Sequence, residues 1–210
     1  FAVALSGGST PEPVYRRLAR EPRSGSIDWS RVEVFWGDER CVPPDHEDSN
    51  YRLARQTLLD EIAIPVTSIH RIRGELPPVE AARRYEREIG RVLGEDGRFD
   101  LILLGLGPDG HTASLFPGTS AVLERRRAVV AVRVEKLDAW RVTMTLPLIN
   151  EACHVVFLVS GSPKAETVRR VLADEELPAA RVDPRQGRLT WFLDADAAED
   201  LPRDVLDDRT

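Results

Sequence analysis

Short apolar runs alternate along the whole chain with stretches in which apolar residues recur at helical spacing. The apolar runs predict β-strands, and the amphipathic stretches between them predict α-helices. The predicted strands cover residues 1–5, 31–36, 67–72, 99–104, 128–134, 141–146, 154–159 and 189–193. The predicted helices cover residues 12–20, 50–62, 77–93 and 165–172, with another helix beginning at Pro147 and a closing helix or turn over 194–201.

This alternation indicates a single α/β domain over residues 1–210, with one mainly parallel open sheet and helices on both faces. The expected topology is Rossmann-like, in a modified doubly wound arrangement. No internal repeat, low-complexity block or linker interrupts the sequence. Since the numbering starts inside an apolar run at Phe1 and without a Met, we expect that an upstream segment is missing from it.

The composition is that of an acidic globular protein. The 210 residues include 35 Asp and Glu against 29 Lys and Arg, which gives a net charge of -6. Binding to nucleic acid or to a membrane surface needs a basic field, so neither partner is expected. No apolar run approaches the ~20 residues of a membrane-spanning helix, and no secretory signal is visible. Cys41 and Cys153 lack metal-type spacing and are expected to be reduced thiols in a cytoplasmic protein.

A glycine-containing turn, formed by Gly7, Gly8, Ser9, Thr10 and Pro11, follows the first predicted strand. Thr10 is a good N-cap and Pro11 suits the first helical position, so the stretch predicts a strand, a turn and a helix. Glycines let backbone N–H groups approach a ligand closely, and a helix start favours anions, so this geometry can bind phosphate. A tight turn without a ligand fits the same residues. The stretch is not a Walker A loop, because no G-K-[ST] follows.

A second glycine-rich stretch, residues 105–112, contains Asp109 and His111. Its glycines match the dinucleotide-binding pattern G-x-G-x-x-G. However, Pro108 lies inside the loop, and Pro117 ends any helix within two turns, whereas a dinucleotide site needs a long helix there. We interpret the stretch as the display of a histidine oriented by a carboxylate, which suits a general base at neutral pH. A histidine that only hydrogen-bonds the loop is the alternative.

Charged side chains follow two other predicted strands. Asp38 and Arg40 follow the strand at 31–36, and Lys164 follows the strand at 154–159 at a helix start. The helix dipole disfavours a lysine there, so in a chain with two lysines we expect Lys164 to face an anion. The other lysine and the other histidines are interpreted as surface or structural residues: Lys136, His46, His70 and His154.

The carboxyl ends of parallel strands meet at one edge of a sheet, where open α/β proteins bind ligands. The glycine turn, the Asp38–Arg40 segment, the Asp109–His111 pair and Lys164 are therefore expected on one rim. A phosphate pocket beside an Asp–His base indicates chemistry on a phosphorylated small molecule.

Four stretches together make the chain resemble the 6-phosphogluconolactonase family: SGGSTP at 6–11, GDER at 37–40, GLGPDGHTASLFP at 105–117 and SGSPK at 160–164. The resemblance covers nearly the whole chain, with the stretches in the family's order. The wider superfamily includes glucosamine-6-phosphate deaminase, which has a glutamate five residues after its catalytic histidine. This chain has Phe116 at that position, as the lactonases do. The resemblance leads us to expect an N-terminal helix upstream of Phe1, and its absence from this numbering is the main departure from the family pattern. We expect that departure to concern stability more than chemistry.

The resemblance implies hydrolysis of 6-phospho-D-glucono-1,5-lactone to 6-phosphogluconate in the oxidative pentose phosphate pathway. It implies that His111 takes a proton from the attacking water and that Asp109 orients the imidazole. The 6-phosphate is expected on the amides of the glycine turn and on three basic side chains: Arg40, Arg141 and Lys164. Asp38 is expected to bind sugar hydroxyls, and backbone N–H groups of residues 105–110 are candidates for stabilising the oxyanion. Neither a cofactor nor a metal is required, because a lactone is already an activated ester.

Three alternatives stay open at this point. A sugar-phosphate deaminase or isomerase would release ammonia from glucosamine 6-phosphate. A non-catalytic sugar-phosphate sensor on the same fold is disfavoured by the intact Asp109–His111 pair, and a nucleotide oxidoreductase would bind NADP(H). We expect a monomer or weak dimer whose partner is a small sugar-phosphate lactone.

Overall fold

A computed structural model describes residues 1–94, 97–173 and 176–202. Its strands are β1 Ala2–Leu5, β2 Glu33–Trp36, β3 Asp38–Arg40, β4 Leu101–Leu104, β5 Val129–Val134, β6 Ala139–Met144, β7 His154–Val159 and β8 Arg188–Leu193. Five of them form a parallel sheet in the order β2-β1-β4-β7-β8. All four residues of β1 are buried, and successive strand residues face opposite sides, so this sheet is covered on both faces. The predicted α/β fold is confirmed.

The helices connect these strands. They are α1 Glu12–Leu18, α2 Arg23–Ser26, α3 Asn50–Thr57, α4 Pro78–Leu93, α5 Ser120–Leu123, α6 Leu146–Ile149 and α7 Ala165–Ala173. Short 3₁₀ turns lie at Trp29–Arg31, Leu59–Glu61, Val66–Ser68, Glu135–Leu137, Ser162–Lys164 and Pro178–Arg181. Helix α4 has the length and polar outer face that its sequence predicts.

A second sheet departs from the prediction of one sheet. Strands β3, β6 and β5 pair antiparallel in that order, separate from the parallel sheet. The physical reason is the short connection between β5 and β6, which consists of the turn Glu135–Leu137 and a left-handed Asp138. A parallel pairing needs a crossover of a dozen or more residues, so a connection this short makes a hairpin. Segment Asp38–Arg40, predicted as charges after a strand end, is itself the edge of this sheet.

The prediction of a strand at 67–72 is wrong. Val66–Ser68 forms a 3₁₀ turn directly after Pro65, which leaves a single bridge between Ile69 and Val34. The helix predicted at 50–62 also ends earlier, at Thr57, where the backbone leaves helical geometry and a 3₁₀ turn follows.

The predicted N-cap role of Thr10 is also wrong. Pro11 occupies the N-cap position of α1, and no side chain caps that helix. The Thr10 hydroxyl instead lies 3.2 Å from the Ser160 hydroxyl, just after β7. This contact ties the first glycine turn to the loop that precedes Lys164.

Two buried tyrosines fix the carboxyl ends of the first two strands. The Tyr15 hydroxyl donates to the Ser6 carbonyl at 2.7 Å and accepts from the Ser6 amide at 3.0 Å. The Tyr85 hydroxyl makes the same two bonds with Trp36, at 2.9 and 2.7 Å. Burial raises the pKa of both phenols, so they stay protonated and able to donate. Both strand ends therefore have fixed positions at the edge of the sheet where the candidate site lies.

Candidate active site

The carboxyl ends of β1, β2 and β4 and the segment before α7 surround a cleft of about 250 Å³. Residues from every predicted stretch line it: Gly7, Gly8, Asp38, Arg40, His111 and Lys164. The structure thus brings these side chains and glycines together on one rim, the edge where parallel strands end. The other predicted site residues are not part of the lining: Ser9, Thr10, Asp109 and Arg141.

A histidine and an aspartate form the most closely coupled pair at this rim. His111 Nδ1 lies 2.5 Å from Asp109 Oδ1, and the His111 amide donates to the same oxygen at 3.3 Å. One carboxylate oxygen therefore fixes both the backbone and the ring of the histidine. The second ring nitrogen, His111 Nε2, makes no hydrogen bond with any described residue, so it is free to act on a ligand.

The pKa shifts of Asp109 and His111 determine which of the two residues carries the proton between them. Desolvation alone would raise the pKa of Asp109, but hydrogen bonds from Lys136 and His111 outweigh it and lower that pKa to about 2. Asp109 is therefore ionised at neutral pH, and the proton between the two residues belongs to His111 Nδ1. Burial lowers the pKa of His111 below its ordinary 6.5, although the Asp109 carboxylate opposes this. The imidazole is consequently neutral at pH 7, with Nε2 available as a base.

Gly107 makes room for the imidazole. The ring approaches its Cα so closely that a Cβ built there would overlap Nδ1 and Cε1 of His111. The Gly107 amide donates to the His111 carbonyl at 2.8 Å, which folds the loop back on itself, and Gly110 completes the bend with a φ of +78°. Within this loop the glycines serve the histidine, and no long helix follows them before Pro117. The interpretation of the G-x-G-x-x-G match as a display loop agrees with this geometry.

Lys136 is a site residue that the sequence interpretation missed. Its ammonium forms an ion pair with Asp109 Oδ2, and it lies 4.7 Å from the centre of the Phe116 ring. Phe116 in turn stacks on the His111 ring at 3.9 Å. Lys136 is exposed, as interpreted, but the hairpin between β5 and β6 also brings its ammonium to Asp109, and that contact was not predicted. Only the bias against lysine in the sequence could have indicated it.

Lys164 extends into the cleft from the turn before α7. Its Nζ donates to the Leu106 carbonyl at 2.9 Å, which takes one of its three N–H donors. Desolvation lowers the pKa of Lys164, while Asp109 opposes that effect. A partly buried ammonium with unused donors, beside a histidine, is suited to an anionic ligand.

Two arginines lie side by side where the second sheet meets the cleft. Arg40 and Arg141 are direct partners across the β3–β6 pairing. The Nε atoms of both are buried and make no hydrogen bond with any described residue. Burial, and then the neighbouring Arg40, lower the pKa of Arg141. Like charges placed directly opposite one another repel, so this pair favours an anion between or beside them.

Asp38 and Glu39 organise the wall opposite His111. Asp38 accepts hydrogen bonds from the Ser114 hydroxyl at 2.6 Å and from Asn50 Nδ2 at 3.2 Å. The buried Glu39 carboxylate accepts the amide N–H groups of Asn50 and Tyr51, both at 2.8 Å, and so caps α3. Burial raises the pKa of Glu39, and these amides oppose that shift. Neither Ser114 nor Asn50 was predicted as a partner of Asp38, since they lie 76 and 12 positions from it along the chain.

The other histidines are placed as expected. His70 is buried between the carboxylates of Glu33, at 2.6 Å, and Glu88, at 2.8 Å. His154 Nε2 lies 2.9 Å from the Thr190 hydroxyl, and His46 lies in an exposed loop. None of the three lines the catalytic cleft.

Membrane-spanning helices and metal-binding clusters are both absent from residues 1–94, 97–173 and 176–202. No helix of this part of the chain has the length and apolar character needed to cross a membrane. No cluster of three or more His, Cys, Asp or Glu side chains there could hold a metal ion.

Known proteins are similar to this chain in sequence and in fold. A model of the family described as "Glucosamine-6-phosphate isomerases/6-phosphogluconolactonase" matches residues 1–191. The 6-phosphogluconolactonase of Synechocystis sp. is 44% identical over 208 residues, covering 95% of this chain and 84% of that protein. The protein of the same name from Aggregatibacter actinomycetemcomitans is 40% identical, covering 94% and 86%. The solved structure of 6-phosphogluconolactonase from Trypanosoma cruzi has a TM-score of 0.85 at 36% identity, covering 96% and 84%. The chain belongs to the glucosamine-6-phosphate isomerase/6-phosphogluconolactonase family.

Proposed function

We infer that the protein is a lactone hydrolase, a 6-phosphogluconolactonase, that converts 6-phospho-D-glucono-1,5-lactone to 6-phosphogluconate in the oxidative pentose phosphate pathway. One observation carries the inference: a neutral imidazole base and the cations of Arg40 and Lys164 line the same cleft. A substrate with an ester at one end and a phosphate at the other uses both features at once. The curated relatives at 40% and 44% identity bear the same enzyme name.

His111 acts as the general base in this reaction. Its Nε2 accepts a proton from water while the water oxygen forms a bond to the lactone carbonyl carbon. The Nδ1–H bond to Asp109 fixes the tautomer that leaves Nε2 unprotonated, and the carboxylate stabilises the imidazolium that forms. The pKa of about 2 keeps Asp109 anionic throughout the cycle.

The same histidine completes the reaction as an acid. When the tetrahedral intermediate collapses, the bond from the carbonyl carbon to the ring oxygen breaks. The imidazolium gives its proton to that oxygen, which leaves as the hydroxyl of the open-chain product. The two transfers through His111 balance, and the carboxylic acid that forms then loses its proton to solvent at neutral pH. No electron is transferred, so the step needs no redox cofactor. The Gly107 and Gly110 amides are already bonded within the loop, and Pro108 has no N–H, so Gly105, Leu106 and Asp109 are the amides of this loop that remain candidates for the oxyanion.

The phosphate lies at the cationic end of the cleft. Arg40 and Lys164 line the cleft directly, and Arg141 contributes charge from the position beside Arg40. Gly7 and Gly8 also line the cleft, whereas Ser9 and Thr10 lie outside the lining, and Thr10 ties the turn to the loop after β7 through its contact with Ser160. Asp38 is held by Ser114 and Asn50, and each of its oxygens keeps a lone pair for a sugar hydroxyl.

Phe116 separates this activity from that of a deaminase. A ring stacked on His111 occupies the position five residues after the histidine, where the deaminases carry a glutamate. The ring supplies neither a proton nor a negative charge for opening an amino sugar. Glucosamine 6-phosphate should therefore release no ammonia in the presence of the protein.

We place the enzyme in the cytoplasm. Cys41 and Cys153 are both free thiols, which is typical of a reducing compartment.

The test is hydrolysis of freshly prepared lactone, followed by proton release with the spontaneous rate subtracted. The variant His111→Ala should lose about 10²–10⁴ in kcat, the usual contribution of a positioned acid–base group. His154→Ala is a matched control, because that histidine is remote from the catalytic cleft. If His111→Ala keeps the wild-type rate above the spontaneous background, the assignment of the base is wrong.

A further inference from the structure

A second cleft lies on another part of the surface, and the reaction does not use it. It lies between α3, the segment after that helix and α4, and its volume is about 490 Å³, against about 250 Å³ for the catalytic cleft. Four arginines line this arginine cleft: Arg55, Arg71, Arg73 and Arg84. The two clefts share no lining residue.

Two carboxylates at or near this cleft already form hydrogen bonds and ion pairs with other side chains of the protein. Glu88 lines the cleft, but its carboxylate is hydrogen-bonded to His70 at 2.8 Å and to Arg91 at 2.7 Å. Glu75 forms a two-pronged ion pair with Arg71, at 2.7 and 2.8 Å. Glu75 therefore neutralises Arg71, and Asp60, which also lines the cleft, forms a longer ion pair with Arg55 at 3.7 Å. Arg73 and Arg84 form no ion pair with a residue that the structure describes.

Three arginines of the cleft, Arg55, Arg73 and Arg84, have unused hydrogen-bond capacity. Arg73 and Arg84 make no hydrogen bond or ion pair with any residue that the structure describes. Arg55 has a buried Nε without a hydrogen-bond partner, and its nearest carboxylate oxygen, on Asp60, is 3.7 Å away. A guanidinium presents planar donors that match the oxygens of a phosphate, so three of them around one cleft favour a multiply charged anion.

The remaining surface of the cleft is apolar and aromatic. Leu59, Ile64, Ile69 and Ala81 line it, and Tyr51 lies beneath the Arg71 guanidinium at 5.5 Å. A bare inorganic anion would leave this surface without a partner. A volume of this size is within the range of small-molecule sites that hold an apolar body and a few polar groups.

We propose that the arginine cleft binds a phosphorylated small molecule of nucleotide size. Its phosphate groups contact Arg73 and Arg84, with Arg55 as a third donor, and its apolar body lies on the surface formed by Ile64 and Ile69. The proposal does not depend on the reaction assigned to the catalytic cleft.

The site has a direct structural connection to the catalytic cleft. Tyr51 lines the arginine cleft, and its chain neighbour Asn50 lines the catalytic cleft. The Glu39 carboxylate accepts the amide N–H of both residues. Because the two clefts are linked in this way, a binding experiment must distinguish a ligand in the arginine cleft from a ligand in the catalytic cleft.

Isothermal titration with ADP provides that separation, with inorganic pyrophosphate and adenosine as partial probes. We expect ADP to bind the full-length protein and its Lys164→Ala variant with the same affinity. The double variant Arg73→Gln/Arg84→Gln should weaken binding by about tenfold or more for each charge-assisted hydrogen bond that it removes. Pyrophosphate should bind more weakly than ADP, and adenosine should not bind detectably.

The matched control is Arg83→Gln/Arg87→Gln, which removes the same charge from α4 outside the cleft lining. It should change ADP affinity less than twofold. Both double variants should keep the wild-type lactonase rate, which checks that they fold. Absence of ADP binding, or binding that disappears in Lys164→Ala and persists in Arg73→Gln/Arg84→Gln, overturns the proposal. Pyrophosphate binding as tight as that of ADP would overturn the assignment of an apolar body.

Discussion

Replacing Gly107 with alanine isolates the effect of the loop on the catalytic histidine. A Cβ at this position would lie 1.9 Å from Nδ1 and 2.0 Å from Cε1 of His111. Cβ atoms in proteins essentially never approach another heavy atom closer than 3.0 Å, so the ring would have to move by about 1 Å. The backbone of Gly107 lies outside the left-handed region, so alanine brings no strain of its own there. The added methyl group therefore acts through the imidazole.

The expected loss of kcat follows from how far the His111 ring must move. Displacement by about 1 Å disrupts the 2.5 Å contact between His111 and Asp109 and the stacking on Phe116. A misplacement of about 1 Å in a catalytic group costs on the order of 10² in rate, or about 2.7 kcal/mol of transition-state stabilisation. We expect Gly107→Ala to lower kcat by that factor and to change KM little, because Arg40 and Lys164 are untouched.

The assay is the same proton-release measurement on fresh lactone, applied to Gly107→Ala, His111→Ala and the double variant. Two substitutions that act through one group are not additive, so the double variant should match His111→Ala. Gly105→Ala is the control for the loop, since a Cβ there meets no atom within 4 Å, and imidazole NMR should show its His111 unperturbed. A Gly107→Ala enzyme within threefold of wild-type kcat would refute the reasoning, and so would a double variant much slower than His111→Ala.

The remaining predictions concern the two lysines. Lys164→Ala should raise KM for the lactone by about tenfold or more with a smaller effect on kcat, because it removes a charge-assisted contact to the phosphate; an unchanged KM would exclude that contact. Lys136→Gln should move the acidic limb of the kcat/KM profile to higher pH. The reason is that the Lys136 charge lowers the pKa of His111, and catalysis needs the unprotonated imidazole. Arg133→Gln on the same hairpin is the control, because Arg133 pairs with Asp138. A profile that stays in place would limit Lys136 to a structural contact.

The parallel sheet could be predicted from the sequence because its strands are short apolar runs. Such runs are typical of strands buried on both faces, and β7 matches its predicted bounds of 154–159. The strand order did not have to be known to place Gly7, His111 and Lys164 on one rim, since every parallel strand ends at the same edge. This is why these three residues could be placed at one edge of the sheet from patterns alone.

The second sheet and its contribution could not be predicted in the same way. Strands β5 and β6 have the same Val-rich character as the parallel strands, and only the short connection between them indicated a hairpin. Lys136 lies in that connection, 27 positions from Asp109, and nothing in its local sequence distinguishes it from a surface lysine. The contacts of Asp38 with Ser114 and Asn50 also join residues that are distant along the chain, so no local sequence pattern indicates them.

The two sheets supply different parts of the site. The parallel sheet ends in loops, and those loops hold His111 through backbone bends and through the space that Gly107 leaves. The antiparallel sheet supplies side chains from its strands and hairpin, namely Arg40, Arg141 and Lys136. Loops allow the close backbone approach that a base needs, whereas strand pairing sets two arginines side by side in a fixed register. A change in the packing of one sheet against the other should therefore alter the charge around His111 before it alters the His111–Asp109 contact, which lies within a single loop.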